Sequence, residues 1–276
     1  MSPTLILIRK EIRDGLRNRW VLAVTVLLAM LALSLGFLGS APTGTVKVDP
    51  LTVTVVSLSS LSIFLVPLIA MLLSYDAIVG EVDRGTMALM LSYPISRRQV
   101  LTGKFFGHLA ILALATIAGY GIAGLTLQLA HGGLDLSAWA PFALLILASI
   151  LLGACFLSLG YLISALVRER ATAAGIAIGV WLFLVVIYDM ALLGLLVADQ
   201  QRIITAPILN SILLLNPTDV YRLLNLTGHE NIALFAGMAG LSDQATLSTG
   251  VLLLAQMLWI AVPFGLAAIA FNRRAL

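Results

Sequence analysis

The sequence predicts an all-α, polytopic membrane protein: six transmembrane helices, an interfacial N-terminal helix and a cytoplasmic helix between the second and third spans. Three observations carry this. Of 276 residues, 61% are hydrophobic and 11% charged, with a mean hydropathy of +1.07. A water-soluble domain carries about 25% charged residues, and no soluble fold of this size hides so much apolar side chain. Six apolar runs reach the roughly 20 residues that a helix needs to cross a bilayer: about 20–39, 53–74, 106–130, 142–167, 172–197 and 248–271. They are too long and continuous for barrel strands. Finally, the cations are segregated. Thirteen of the sixteen Lys and Arg fall before the first run, in the 75–105 connection, in the short 168–171 turn, or after the last run. Only Lys47, Arg202 and Arg222 fall on the other side. By the positive-inside rule, both termini are expected in the cytoplasm.

The elements follow in order. In the N-terminal segment Leu5, Ile8, Ile12 and Leu16 recur at helical spacing, with Arg9, Lys10, Arg13 and Arg17 between them. That suits a basic helix lying in the inner interface before the chain enters the membrane at Trp20. No cleavable signal peptide is expected, because the first apolar run is too long for a signal core.

The connection between the second and third spans is far longer than a crossing requires. Ile78, Val82, Gly85 and Leu89 follow a 4-3-4 spacing, predicting one amphipathic helix over about 76–91. Asp76, Glu81 and Asp83 suit its N-terminal half. Ser92-Tyr93-Pro94 stops it. Ser96 and Gln99 then form a capping box that opens a second helix, running through Lys104 into the third span. Arg97, Arg98 and Lys104 are expected to anchor that helix at the inner interface.

Gly119, Gly121 and Gly124 in the third span, and Gly175-x-x-x-Gly179 in the fifth, permit close helix approach. The fifth span also carries Asp189, about two turns from its outer end. An intramembrane acid is a functional candidate. No Lys or Arg lies in a span interior, so its partner is expected to be a hydroxyl, a backbone group or a second copy of the chain. The alternative is an acid near the outer interface reached by water. Asp189 and Cys155 are the candidate intramembrane pathway residues. The outer loop, 198–247, is too apolar for solvated coil and too broken by Pro207 and Pro217 to span; short interfacial helices or a partial re-entrant hairpin fit.

Much chemistry is missing. Gly80–Gly85 has the glycine spacing of a phosphate loop, but Thr86 stands where lysine is required. His108, His131 and His229 are isolated, and Met71, Cys155 and Met190 do not cluster, so no metal site is expected. One cysteine excludes an internal disulfide. The basic balance reflects membrane orientation, not nucleic-acid binding.

The pattern Glu81, Gly85-Thr86, Leu91, Pro94, Arg97 or Arg98, and Lys104 resembles the signature of ABC-2 type permeases, and the six-span layout and leading basic helix extend the likeness over essentially the whole chain. The resemblance implies a single transmembrane domain, 1–276. It implies that 76–91 is a coupling helix held in a groove of an ABC ATPase, with Glu81, Val82, Asp83, Arg84, Gly85, Thr86, Met87 and Met90 as docking residues. It also implies a second copy of the chain, membrane lipid around it, no cofactor here, and ATP and Mg on the ATPase. Within the family, the chain resembles permeases associated with copper-site maturation of nitrous oxide reductase. That implies a bacterial inner membrane, a NosF-like ATPase and a NosD-like extracytoplasmic partner. An ABC-2 exporter of another cargo (drug, lipid or polysaccharide) and an ion-coupled secondary carrier are the alternatives.

Overall fold

The computed structural model describes residues 3–17, 19–38, 50–131, 136–199, 205–226 and 247–274. Lys47, Arg202 and His229 lie outside them. The described residues form helices and no strand. α1 (Pro3–Arg17) meets α2 (Arg19–Leu38) at a bend of 67°. α3 (Pro50–Ser74) precedes two short helices, α4 (Val79–Asp83) and α5 (Thr86–Leu91). The long helices α6 (Arg97–His131) and α7 (Leu136–Leu166) follow. The fifth span is α8 (Arg170–Leu182), a π-helical segment Phe183–Ile187, and α9 (Tyr188–Asp199). A helical hairpin, α10 (Ala206–Leu214) and α11 (Pro217–Leu226), leads towards α12 (Thr249–Arg273). Among the described residues, five helical stretches are long and apolar enough to cross a membrane, and the bent α1–α2 pair, taken as one span, makes a sixth.

α7 is apolar all round and sits at the centre. It packs on α3, α12, α6 and α11, burying Phe142, Leu145, Leu152, Phe156 and Tyr161 completely or nearly so. α8 and α12 keep Ile176, Ile178, Leu182, Leu254, Leu258 and Leu266 exposed. In a polytopic protein such faces meet lipid or another helix.

The capping box forms as expected. The Ser96 amide donates to Gln99 Oε1 (2.9 Å) and the Gln99 amide to Ser96 Oγ (3.2 Å). From there α6 continues unbroken for 35 residues, about 52 Å of helix. That exceeds the roughly 30 Å hydrocarbon core, so its first turns project beyond it.

The connection over 76–91 is not one helix. Gly85 adopts φ +72° and splits it into α4 and α5. A left-handed residue resets the helical phase. The predicted stripe therefore stops at Gly85: Ile78 is buried, Met87 replaces Leu89 as the inward residue, and Leu89 is 65% exposed. The expected glycine contacts are also redistributed. Gly119 meets Leu28 and Gly124 meets Phe142, whereas Gly121, Gly175 and Gly179 face open space. Close approaches also fall at Gly103 and Gly107, where α1 lays Leu7 and Glu11 against α6.

Candidate functional site

The α1 helix, the α3–α6 connection, the α7–α8 turn and the end of α12 gather at one end of the bundle, the basic face. Here α4 is held from outside its own chain segment. The Ile78 and Val79 amides both donate to Ser164 Oγ at the end of α7 (2.9 and 3.0 Å). These serve donors that a helix start leaves without intrahelical partners. Asp76 pairs with Arg170 at the start of α8 (2.9 Å). Met87 is fully buried, and Val82 and Met90 are half-buried. On this base Asp83, Arg84, Gly85, Thr86, Ala88 and Leu89 are exposed.

Glu81 faces the other way. Its carboxylate accepts from Lys104 Nζ (3.0 Å) and from the Thr86 hydroxyl, with Arg84 at 3.8 Å. Lys104, expected as an interface anchor, is covered by protein: its side chain is 4% exposed, and it also donates to Glu11 of α1 (3.1 Å). Once α1 packs at Gly103 and Gly107, Lys104 is covered and needs buried counter-charges. Glu11 lies beside His108, whose Nδ1 meets the Tyr161 hydroxyl at 2.9 Å. Burial works against ionising Glu11, but Lys104, then His108 and Lys10, hold its carboxyl below the ordinary range. Glu11, Asp76, Glu81, Lys104, His108 and Arg170 line a cavity of about 470 Å³.

The other two expected anchors differ. Arg98 is exposed. Arg97 reaches the end of α12, where Nη1 donates to the carbonyls of Phe271 (2.8 Å) and Arg274 (2.6 Å), over the Phe271 ring. Arg274 in turn donates to the Ser164 carbonyl (2.8 Å) at the end of α7. Both cations thus cap helix C-termini, which favour positive charge.

At the opposite end, the α10–α11 hairpin enters the bundle. Val220, Tyr221 and Leu224 are buried, and α11 packs on α12, α7 and α3. Asp189 does find a cation there, contrary to the expectation: Arg222 of α11 spans both of its oxygens, one contact at 3.2 Å, and also pairs with Asp219 (2.7 Å). Its position in the chain places Arg222 in the outer loop; the hairpin fold carries it inward. Burial pushes the Asp219 carboxyl up to about 7, against the pull of Arg222 and with help from nearby Asp189. Cys155 is wholly buried and donates to Gln256 Oε1 of α12 (3.0 Å). Asp189 and Cys155 thus occupy separate polar clusters. Among the described residues, no cluster of His, Cys, Asp and Glu has the makings of a metal site.

Sequence reasoning overlooked Glu11, Ser164 and Asn216, the last of which donates from the hairpin to the Leu184 carbonyl of the fifth span. Glu11 carried a signal, as an acid inside a basic helix; the two others look ordinary in the sequence.

The model of the ABC-2 family transporter protein matches residues 5–276. A protein of Stutzerimonas stutzeri called "Probable ABC transporter permease protein NosY" is 45% identical over 276 residues, covering 99% of each chain. One of the same name from Pseudomonas aeruginosa is 44% identical over 270 residues, covering 96% of each. With a family match over nearly its whole length and relatives of this identity, the chain belongs to the ABC-2 family of transporter proteins and is a membrane-spanning permease subunit.

Proposed function

We propose that this permease couples ATP hydrolysis by a partner ABC ATPase to transport or mechanical work across a bacterial inner membrane, in the service of copper-site assembly in nitrous oxide reductase. The observation that carries the coupling role is the α4–α5 elbow: an exposed rim, Asp83–Thr86 with Leu89, on a base fixed to α6, α7 and α8. A rim of mixed charge beside an exposed leucine suits a protein groove. Such an elbow passes a push into the spans because its base does not yield.

The segregation of cations supports a cytoplasmic basic face and cytoplasmic termini, on the side of the ATPase. ATP and Mg belong to that NosF-like ATPase, and this chain needs no cofactor. A second copy of the chain completes the unit. The α10–α11 hairpin, on the outer face, is the seat for a NosD-like partner. The copper-site role rests on kinship with the NosY permeases. An ABC-2 exporter of another cargo shares the same elbow and is separated from it by the cargo.

The test is co-purification of the chain with its ATPase, followed by vanadate-sensitive hydrolysis in the complex. Capture and permease-dependent hydrolysis support the reading. No capture by the wild type sinks it.

A further inference from the structure

We propose that Lys104 is a positioning residue for coupling: it locks the elbow, the N-terminal helix and the third span into one rigid unit, so that displacement of α4–α5 carries α1 and α2 with it. The proposal rests on the coupling role argued above.

The geometry singles out this lysine. One ammonium, almost wholly covered, meets two carboxylates from elements distant in the chain: Glu11 on α1 at 3.1 Å and Glu81 on α4 at 3.0 Å. Gly103 and Gly107 bracket it on α6, and both lie against α1 at Leu7 and Glu11. There a Cβ would come within 2.7 Å of Leu7 or 2.5 Å of Glu11, so only glycine lets α1 seat this closely on α6. Glu81 has Arg84 and Thr86 on its own segment, and neither reaches α1. His108 also faces Glu11, from α6, and its ring is held from behind by Tyr161 of α7. Lys104 is therefore the direct polar link from the elbow to the N-terminal helix among the described contacts. The elbow's other ties, to Ser164 and Arg170, run to α7 and α8.

Stability alone does not account for the arrangement. A buried ion pair is commonly matched or bettered by apolar side chains of similar volume, while an orphaned buried charge is strongly destabilising. What the triad supplies is a fixed relative position.

The experiment uses the complete complex with its ATPase. Spin labels at Ser92→Cys, at the end of the elbow and outside its docking rim, and at Arg9→Cys, both exposed positions, report the elbow–α1 distance without and with ATP. In the wild-type background the distance stays the same in both states. In the charge-balanced double variant Glu11→Gln/Lys104→Met, which leaves no new unpaired cation, the distance changes on ATP binding, and permease-dependent stimulation of hydrolysis falls about tenfold, within the usual range of coupling energies. Lys104→Arg, which keeps the charge, retains coupling above the double variant. A wild-type distance that moves with nucleotide overturns the proposal whether or not the variants fold. So does a double variant that couples like the wild type. Failure of the wild type to capture the ATPase is the different result that removes the underlying reading.

Discussion

The side-chain amide of Asn216 donates to the backbone carbonyl of Leu184 at 2.9 Å, joining the hairpin turn to the π-helical segment of the fifth span. Thr218 Oγ reaches the same carbonyl at 3.4 Å, and Asn216 Oδ1 accepts from Thr218 in return. A π segment disturbs the regular helical bonding, and in lipid a stranded carbonyl is costly. The hairpin adds side-chain donors at this carbonyl. Asn216→Leu is expected to destabilise the purified protein by about 1–3 kcal/mol, the cost of an unsatisfied buried acceptor. Thermal unfolding in nanodiscs checks this; an unchanged midpoint counts against it.

Gly85 has no atom within 4 Å of a built Cβ, so space does not restrict it; its φ of +72° does. Gly85→Ala is expected to cost about 1–2 kcal/mol by forcing a left-handed alanine, and to weaken ATPase capture without affecting membrane insertion. Gly85→Asn, a residue that tolerates this region, retains more capture. Equal capture by Ala and Asn variants would show that backbone conformation is not what matters there.

Arg97 ties the start of α6 to the end of α12. Removing it in Arg97→Met leaves the Phe271 and Arg274 carbonyls without that donor. Hydrogen exchange over 268–274 is expected to quicken, because helix ends without partners fray. Protection identical to the wild type would rule out the capping role.

The Asp189–Arg222–Asp219 cluster is expected to make hairpin docking sensitive to pH. Asp219 binds its proton more tightly when folded, about 7 against 3.8. The folded state therefore holds more protons across this interval, and stability falls as pH rises from about 4 to 7. Asp219→Asn is expected to flatten that dependence, whereas Arg222→Met loosens the hairpin by leaving the buried Asp219 and the half-buried Asp189 without their cation. Limited proteolysis of the hairpin across this pH range separates the two variants. A wild type and Asp219→Asn with the same pH profile would refute the assignment.

Cys155 is buried at the α7–α12 contact, donating to Gln256. Maleimide is expected to modify it only after denaturation, since the reactive thiolate needs exposure and charge stabilisation. Labelling of the folded protein would place it on a water-filled path instead.

What the sequence by itself determined is local. Run length and hydropathy set the spans, the cation pattern set the expected orientation, and Ser96 with Gln99 marked the start of α6. Each signal lies within one helix or its cap, where neighbouring residues decide the physics. The elbow was legible as an element but not in its shape, because a glycine in a helical pattern does not announce the sign of its φ. Only tertiary structure decided the partners of the charges. Lys104 meets Glu11 across 93 positions, and Asp189 meets Arg222 across 33. A lysine near a membrane interface reads as an anchor until another helix covers it, and an arginine in an outer loop reads as exposed until the loop folds inward. The physical reason is burial: once water is removed, each charge must find a counter-charge, and which one it finds depends on how the helices pack.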